Sequence, residues 1–319
     1  MSFAIKTSKL KKSFGNVIAV NNLDLKVNKG SIFGLVGPDG AGKTTTIRML
    51  CAMMLPDEGK IEIGGIDVVS RGEELKEHIG YMPQPFSLYG DLSVRENLEF
   101  YAEIYQVPHQ VKDKKINELL EFAKLTNHSY KLADQLSGGM KQKLALSCNL
   151  IHTPKFLFLD EPTTGVDPVA RREFWKILFD LKTQGTTIFV STPYMDEAER
   201  CDEVGLMYQG EIIYCDKPEV MIKSLKKQIA AILVYDIFKA RDILNKLSYI
   251  DDVYIYGEKI HLICDDYYNV KEKLAKNLRE NNVNILEIGR IEPSLEDIFV
   301  TIVKDKKRFE GGERIGIRH

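Results

Sequence analysis

The chain has 319 residues, 44% hydrophobic and 28% charged, with a formal net charge of −2. That length predicts about two domains, and the near-neutral balance gives no basic footprint for nucleic acid. The cysteines Cys51, Cys148, Cys201, Cys215 and Cys264 are scattered and form no CxxC pair, which argues against a disulfide framework or a cysteine metal site. The opening MSFAIKTSKLKKSF lacks the apolar core of a signal peptide, and no window approaches the roughly 18 apolar residues of a membrane span. Any membrane role is therefore expected to come through a partner.

Residues 3–36 read as strands, ending in the buried run Ile32-Phe33-Gly34-Leu35-Val36. A glycine-rich loop and a helix follow, and the helix must end before Pro56. Gly59 to Val69 reads as a hairpin. Residues 92–152 read as mainly helical, with amphipathic spacing at Leu98, Tyr101, Ala102 and Tyr105. Phe156 to Asp160 is an unbroken apolar strand of the kind found in a sheet covered on both faces. A helix over 168–183, a strand at Thr187 to Ser191, a short helix at Asp196 to Cys201 and two strands ending near Cys215 complete a first domain, taken as 1–225. Over 226–305 the pattern restarts as βαββαβα, which predicts a small ferredoxin-like α+β module. Lys304 to His319 reads as charged and frayed, with 306–319 taken as the tail.

Three stretches carry chemistry. Gly37-Pro38-Asp39-Gly40-Ala41-Gly42-Lys43-Thr44 fits GxxxxGK[ST] between a strand and a helix, the context of a phosphate-binding P-loop. Its glycines permit the tight backbone turn, the helix N-terminus attracts anions, Lys43 supplies a cation for the β- and γ-phosphates, and Thr44 supplies a hydroxyl for Mg²⁺. Phe156-Leu157-Phe158-Leu159-Asp160-Glu161 ends a buried strand in two carboxylates, Asp160 suited to a metal's water shell and Glu161 to polarising water. Leu136-Ser137-Gly138-Gly139-Met140 opens an amphipathic helix. Ser137 is a good N-cap, and the same helix start can bind a second phosphate, one offered by a partner chain.

With these motifs in this order, residues 1 to about 225 resemble the ATP-binding subunits of ABC transporters, in the ABC-2-type branch of drug and antibiotic exporters. Pro293-Ser294-Leu295-Glu296-Asp297-Ile298-Phe299 resembles the accessory domain of that branch. The resemblance implies an α/β P-loop NTPase cassette with a mixed sheet core and a helical subdomain, binding ATP and Mg²⁺. It implies that Phe14 stacks on adenine, that Thr45 joins Gly37–Thr44 in holding nucleotide, and that Ser137, Gly138 and Gly139 do so across a dimer. Gln84 is implied to sense Mg²⁺ and the attacking water. Thr44, Gln84 and Asp160 are then the metal-side residues, and Glu161, Gln84 and Asp160 the catalytic ones. Pro85 to Asp91 becomes part of a permease-docking surface, and Asp167 a D-loop acid that also suits a helix N-cap before Pro168. The implied partners are an ABC-2-type membrane permease and a second ATP-binding subunit, homo- or heterodimeric, with no nucleic acid. The implied location is the cytoplasmic face of the membrane.

Two positions depart from the family pattern. Met140 stands where glutamine is usual, a mild change because Ser137 and the glycine backbone make most of the phosphate contact. Pro193 in Ser191-Thr192-Pro193-Tyr194 stands at the switch-histidine position, and proline offers neither a side-chain donor nor a backbone N–H. Loss of one transition-state donor slows turnover on the order of 100-fold. The expectation is a chain that binds ATP normally and hydrolyses it slowly at its own site. Two alternatives are an ATP-binding regulatory subunit with little hydrolysis and a soluble ribosome or DNA factor on the same cassette. One cassette, no heptad run and no paired cysteines speak against the latter.

Overall fold

The computed structural model describes residues 3–310. The chain folds as two compact units, the first ending at Lys217 and the second beginning at Pro218. The division falls earlier than the expected 225/226 boundary. The helix Pro218–Ser224 groups with the second unit, where it packs against the final helix.

The first unit opens with the long antiparallel pair β1 (Phe3–Phe14) and β2 (Val17–Asn28), followed by β3 (Ile32–Val36) and α1 (Lys43–Leu50). Then come β4 (Glu58–Ile63), β5 (Ile66–Asp67), α2 (Gly72–Lys76) and β6 (Ile79–Met82). The predominantly helical stretch holds α3 (Val94–Ile104), α4 (His109–Phe122) and α5 (Gly138–Leu150). Ser93 starts α3 with a reciprocal capping box to Glu96, satisfying two N–H groups that a helix start otherwise leaves open. The chain continues through β7 (Phe156–Asp160), α6 (Pro168–Thr183), β8 (Thr187–Thr192), α7 (Met195–Ala198), β9 (Glu203–Tyr208) and β10 (Glu211–Asp216). The short helix thus lies at Met195–Ala198, a little before the expected Asp196 to Cys201.

These strands form two sheets. One is antiparallel in the order β2-β1-β4-β5, and the other runs β10-β9-β3-β8-β7-β6, parallel except for β10 against β9. Every residue of β3, β7 and β8 is buried, so these strands show no polar alternation. β8 lies between β3 and β7, with Val36 paired to Thr192 and Asp160 to Ser191. The carboxyl ends of three neighbouring parallel strands therefore meet, the usual place for a ligand in such sheets.

The second unit contains α8 (Pro218–Ser224), β11 (Gln228–Val234), α9 (Ile237–Leu244), β12 (Asp252–Tyr256), β13 (Lys259–Cys264), α10 (Tyr267–Glu280), β14 (Ile285–Ile291) and α11 (Leu295–Glu310). Its antiparallel sheet has the order β12-β13-β11-β14, the ferredoxin-like arrangement expected from βαββαβ. A separate apolar core joins Ala230, Ile232, Leu262, Leu274 and Leu278. The tail departs from expectation: α11 runs on to Glu310, so residues 306–310 are helical and not frayed, and 311–319 lie outside the described residues.

Candidate functional site

The loop after β3 is shaped by close approach. A Cβ on Gly37 would lie 2.1 Å from the Met207 carbonyl oxygen, and one on Gly42 would lie 2.2 Å from that of Ala19. Gly42 also has φ 108°, a conformation that only glycine adopts without strain. Gly42 is the residue before α1, so the loop ends on the N–H groups of a helix start.

Lys43 is almost fully buried. Its Nζ donates to the carbonyl oxygens of Gly37 at 2.8 Å and Pro38 at 3.0 Å and stands 3.2 Å from Glu161 Oε1. Thr44 Oγ1 donates to Asp160 Oδ1 at 3.2 Å, and Ser191 Oγ donates to the same oxygen at 2.6 Å. Gln84 Nε2 donates to Glu161 Oε2 at 2.9 Å, and Thr164 Oγ1 to that oxygen at 3.3 Å. Lys43, Thr44, Gln84, Asp160 and Glu161 thus form one connected group, assembled from separate stretches of chain that the sheet order brings together.

Glu161 carries a second signature. Its φ is 49°, unusual for a residue with a Cβ, and strained conformations of this kind concentrate at functional sites. The surroundings hold it there: its N–H is shared between Ser191 O at 3.1 Å and Ser191 Oγ at 3.0 Å. Beneath the site, burial first and the Asp160 carboxylate second push the Cys51 thiol well above its ordinary range, so Cys51 is an inert packing group.

The donor set fits a triphosphate and a hard divalent cation. The two glycine approaches leave a cradle that any side chain would fill, with a lysine and a helix start around it. Among the described residues no cluster of three or more His, Cys, Asp or Glu could hold a metal alone. A hydroxyl and one carboxylate suit Mg²⁺, which keeps several waters and takes other ligands from phosphate.

The remaining expected residues lie elsewhere. Phe14, 49% exposed at the end of β1, has Lys12 Nζ 5.8 Å from its ring centroid, and its hairpin meets the loop through Ala19. Ser137 caps α5, accepting from Met140 N at 3.4 Å. Cβ atoms built on Gly138 and Gly139 would meet Gly165 and Ala170 first. This helix start is therefore packed on the start of α6, apart from the Gly37–Thr44 loop. Asp167 is the N-cap of α6, its Oδ1 accepting from Val169 N and Ala170 N, both at 3.0 Å. Pro193 is half-buried between Thr192, the end of β8, and Tyr194, the residue before α7.

Sequence reasoning did not single out Ser191, Thr163, Thr164, Arg171 or Glu197. Ser191 left a signal, a polar residue directly after the apolar run Ile188-Phe189-Val190; the structure shows it wholly buried and paired with Asp160 of the neighbouring strand.

Comparison with known proteins agrees with this geometry. The ABC transporter family model matches residues 20–164. The bacitracin transport ATP-binding protein BcrA of Bacillus licheniformis is 34% identical over 320 residues, covering 99% of this chain and all (100%) of that one. The linearmycin resistance ATP-binding protein LnrL of Bacillus subtilis is 31% identical, covering 93% and 97%. The probable multidrug ABC transporter ATP-binding protein YbhF of Escherichia coli is 42% identical over 226 residues, where the match spans only 38% of YbhF. Among solved structures, cbiO1 from Clostridium perfringens, part of the ABC transporter complex cbiONQ, has a TM-score of 0.65 at 26% identity, covering 70% of this chain and 92% of that one. The dimeric cassette MJ0796, in a post-hydrolysis state bound to ADP and Pi, has a TM-score of 0.61 at 25% identity, covering 67% and 98%. Fold and site define a P-loop ATP-binding cassette, and the chain belongs to the family of ABC transporter ATP-binding subunits.

Proposed function

We propose that the chain hydrolyses ATP to drive an ABC-2-type exporter through a separate membrane permease, dimerising with a second ATP-binding subunit at the cytoplasmic face. The observation that carries this reading is the junction of Lys43, Thr44, Asp160, Glu161 and Gln84. The full-length match to the bacitracin transport subunit supports the exporter assignment. Among the described residues no helix is long and apolar enough to cross a membrane, which fits a separate permease.

In this reading Gly37, Pro38, Asp39, Gly40, Ala41 and Gly42 wrap the phosphates with backbone N–H groups, with Thr45 on the helix behind them and Phe14 against the base. Lys43 moves its charge from Glu161 to the β- and γ-phosphates. Thr44 and Asp160 would hold Mg²⁺, which when bound neutralises phosphate charge. Glu161 takes a proton from the attacking water, and Gln84, already bonded to Glu161, orients that water. Ser137, Gly138 and Gly139 serve the partner's nucleotide. Pro85 to Asp91 meets the permease.

Pro193 favours a second reading, a subunit that binds ATP but turns it over chiefly with a competent partner. One experiment separates the two: ATP turnover of the purified chain as wild type, Pro193→His and Glu161→Gln. Slow wild-type turnover, raised on the order of 100-fold by Pro193→His and abolished by Glu161→Gln with ATP binding intact, is the expected result. A fast wild type that Pro193→His leaves unchanged removes any role for the proline.

A further inference from the structure

Among the described residues of the first unit, one buried carboxylate stands outside the group around Lys43 and Glu161. Glu197, in the single turn of α7, has no exposed surface. Its oxygens serve different segments. Thr163 Oγ1 donates to Oε1 at 2.5 Å, and Thr192 Oγ1 donates to Oε2 at 2.7 Å. Arg171 Nε, near the start of α6, stands 3.4 Å from Oε1. The Arg171 guanidinium also lies 4.1 Å over the ring of Tyr194, and Tyr194 N donates to Thr192 Oγ1 at 3.1 Å.

A buried carboxylate is costly to desolvate, and an apolar residue of similar volume often serves stability equally well. Stability alone therefore gives little reason for an acid here. Its partners give a better one. Thr163 is two residues after Glu161, Arg171 is four after Asp167, and Thr192 and Tyr194 flank Pro193. Proline at 193 has no N–H and no polar side chain by which the segment could be anchored. Of the two residues that flank it, Thr192 is tied to Glu197 and Tyr194 to Arg171.

We propose that Glu197, with Arg171, is a positioning residue for ATP cleavage, fixing the segment around Pro193 against the segment that carries Glu161. This rests on the ATPase reading above. The effect falls on the rate at bound substrate: the side-chain hydrogen bonds of Glu197 run to Thr163 and Thr192 and its ion pair to Arg171, not to the Gly37–Thr44 loop, so their loss leaves ATP affinity intact.

The test uses the full-length chain with saturating ATP and Mg²⁺, protein in excess, and single-turnover cleavage, which resolves rates far below the steady-state limit. ATP affinity and melting temperature are measured on the same samples. Glu197→Gln keeps the shape and can still meet the two hydroxyls, but it removes the negative charge facing Arg171 Nε and leaves Asp196, 3.8 Å from Arg171 Nη1, as that guanidinium's carboxylate. The expected result is cleavage slowed about tenfold or more, with ATP affinity changed less than about threefold. Adding Pro193→His to Glu197→Gln restores less activity than Pro193→His gives alone, because the new donor sits on an unanchored segment. Glu197→Ala opens a cavity as well, so Glu197→Gln carries the test. Glu197→Gln cleaving at the wild-type rate overturns the proposal, as does a loss that merely follows reduced melting temperature or ATP affinity. The wild type reports separately on the underlying reading: no cleavage by wild type or Pro193→His overturns the reading that this chain cleaves ATP at its own site without a competent partner, and this proposal falls with it.

Discussion

At the residue scale, one backbone position decides whether the phosphate loop can exist. Gly42 combines φ 108° with an ideal Cβ position 2.2 Å from the Ala19 carbonyl oxygen, so any side chain meets both torsional strain and a backbone clash. Gly42→Ala is expected to cost about 1–3 kcal/mol of stability and to abolish detectable ATP binding by calorimetric titration. The glycine pattern made this position legible from sequence alone. Glu161 is the opposite case. Its type and place after a buried strand were readable, but its φ of 49° was not, because the contacts that hold it come from Ser191, 30 residues away. Asp167 shows a third outcome: the cap role was legible in the sequence, and in the fold Oδ1 takes it, which leaves the D-loop reading of the same residue open.

At the element scale, fully buried strands and capped helices were the easiest to read, since period and cap chemistry are local. The final helix was harder. Its charged continuation past Lys304 resembles a solvated tail, and only long-range pairing shows why it stays helical: Lys304 pairs with Asp252 of β12, and Asp297 is held by β12 and β13. Asp297 has no exposed surface. It takes hydrogen bonds from Ser294 N at 2.6 Å, Ser294 Oγ at 2.7 Å and Tyr254 Oη, with His261 Nδ1 at 2.9 Å. Burial alone would raise its carboxyl, but the bonds from His261, Tyr254 and Ser294 outweigh that and hold it below its ordinary value. A lowered folded value stabilises the native form above the unfolded pKa of about 3.9, and that contribution fades as pH falls through the folded value. Asp297→Asn is expected to cost about 1–3 kcal/mol at pH 7. The deficit should shrink towards the acid end of a urea-unfolding series, because there the wild-type carboxyl is protonated too.

At the scale of the whole molecule, the described residues include one hydrophobic core with buried members between Ala4 and Met207 and a separate one with buried members between Ala230 and Val283. Each unit buries its own apolar set, so unfolding is expected to depart from a single two-state transition. Scanning calorimetry should resolve two transitions. ATP with Mg²⁺ at a hundred times its dissociation constant should raise the stability of the first unit by about 2.7 kcal/mol and leave the other in place. A nucleotide shift of both transitions together would show that the units unfold as one. The two-domain architecture was legible in the restart of the pattern after Ser224, but the boundary was not. Pro218–Ser224 looks like the close of the first domain by chain order, and only its packing against α11 assigns it to the second.

The Lys43–Glu161 pair has a consequence for timing. The cation and the carboxylate are 3.2 Å apart, both almost without exposed surface, and each neutralises the other. Removing either partner alone strands a buried charge, which typically costs about 3–5 kcal/mol. A phosphate that draws Lys43 away imposes that same imbalance on Glu161, and a water molecule brought against the freed carboxylate relieves it. On the proposed ATPase reading, seating the nucleotide and freeing Glu161 to take a proton from water then become one event.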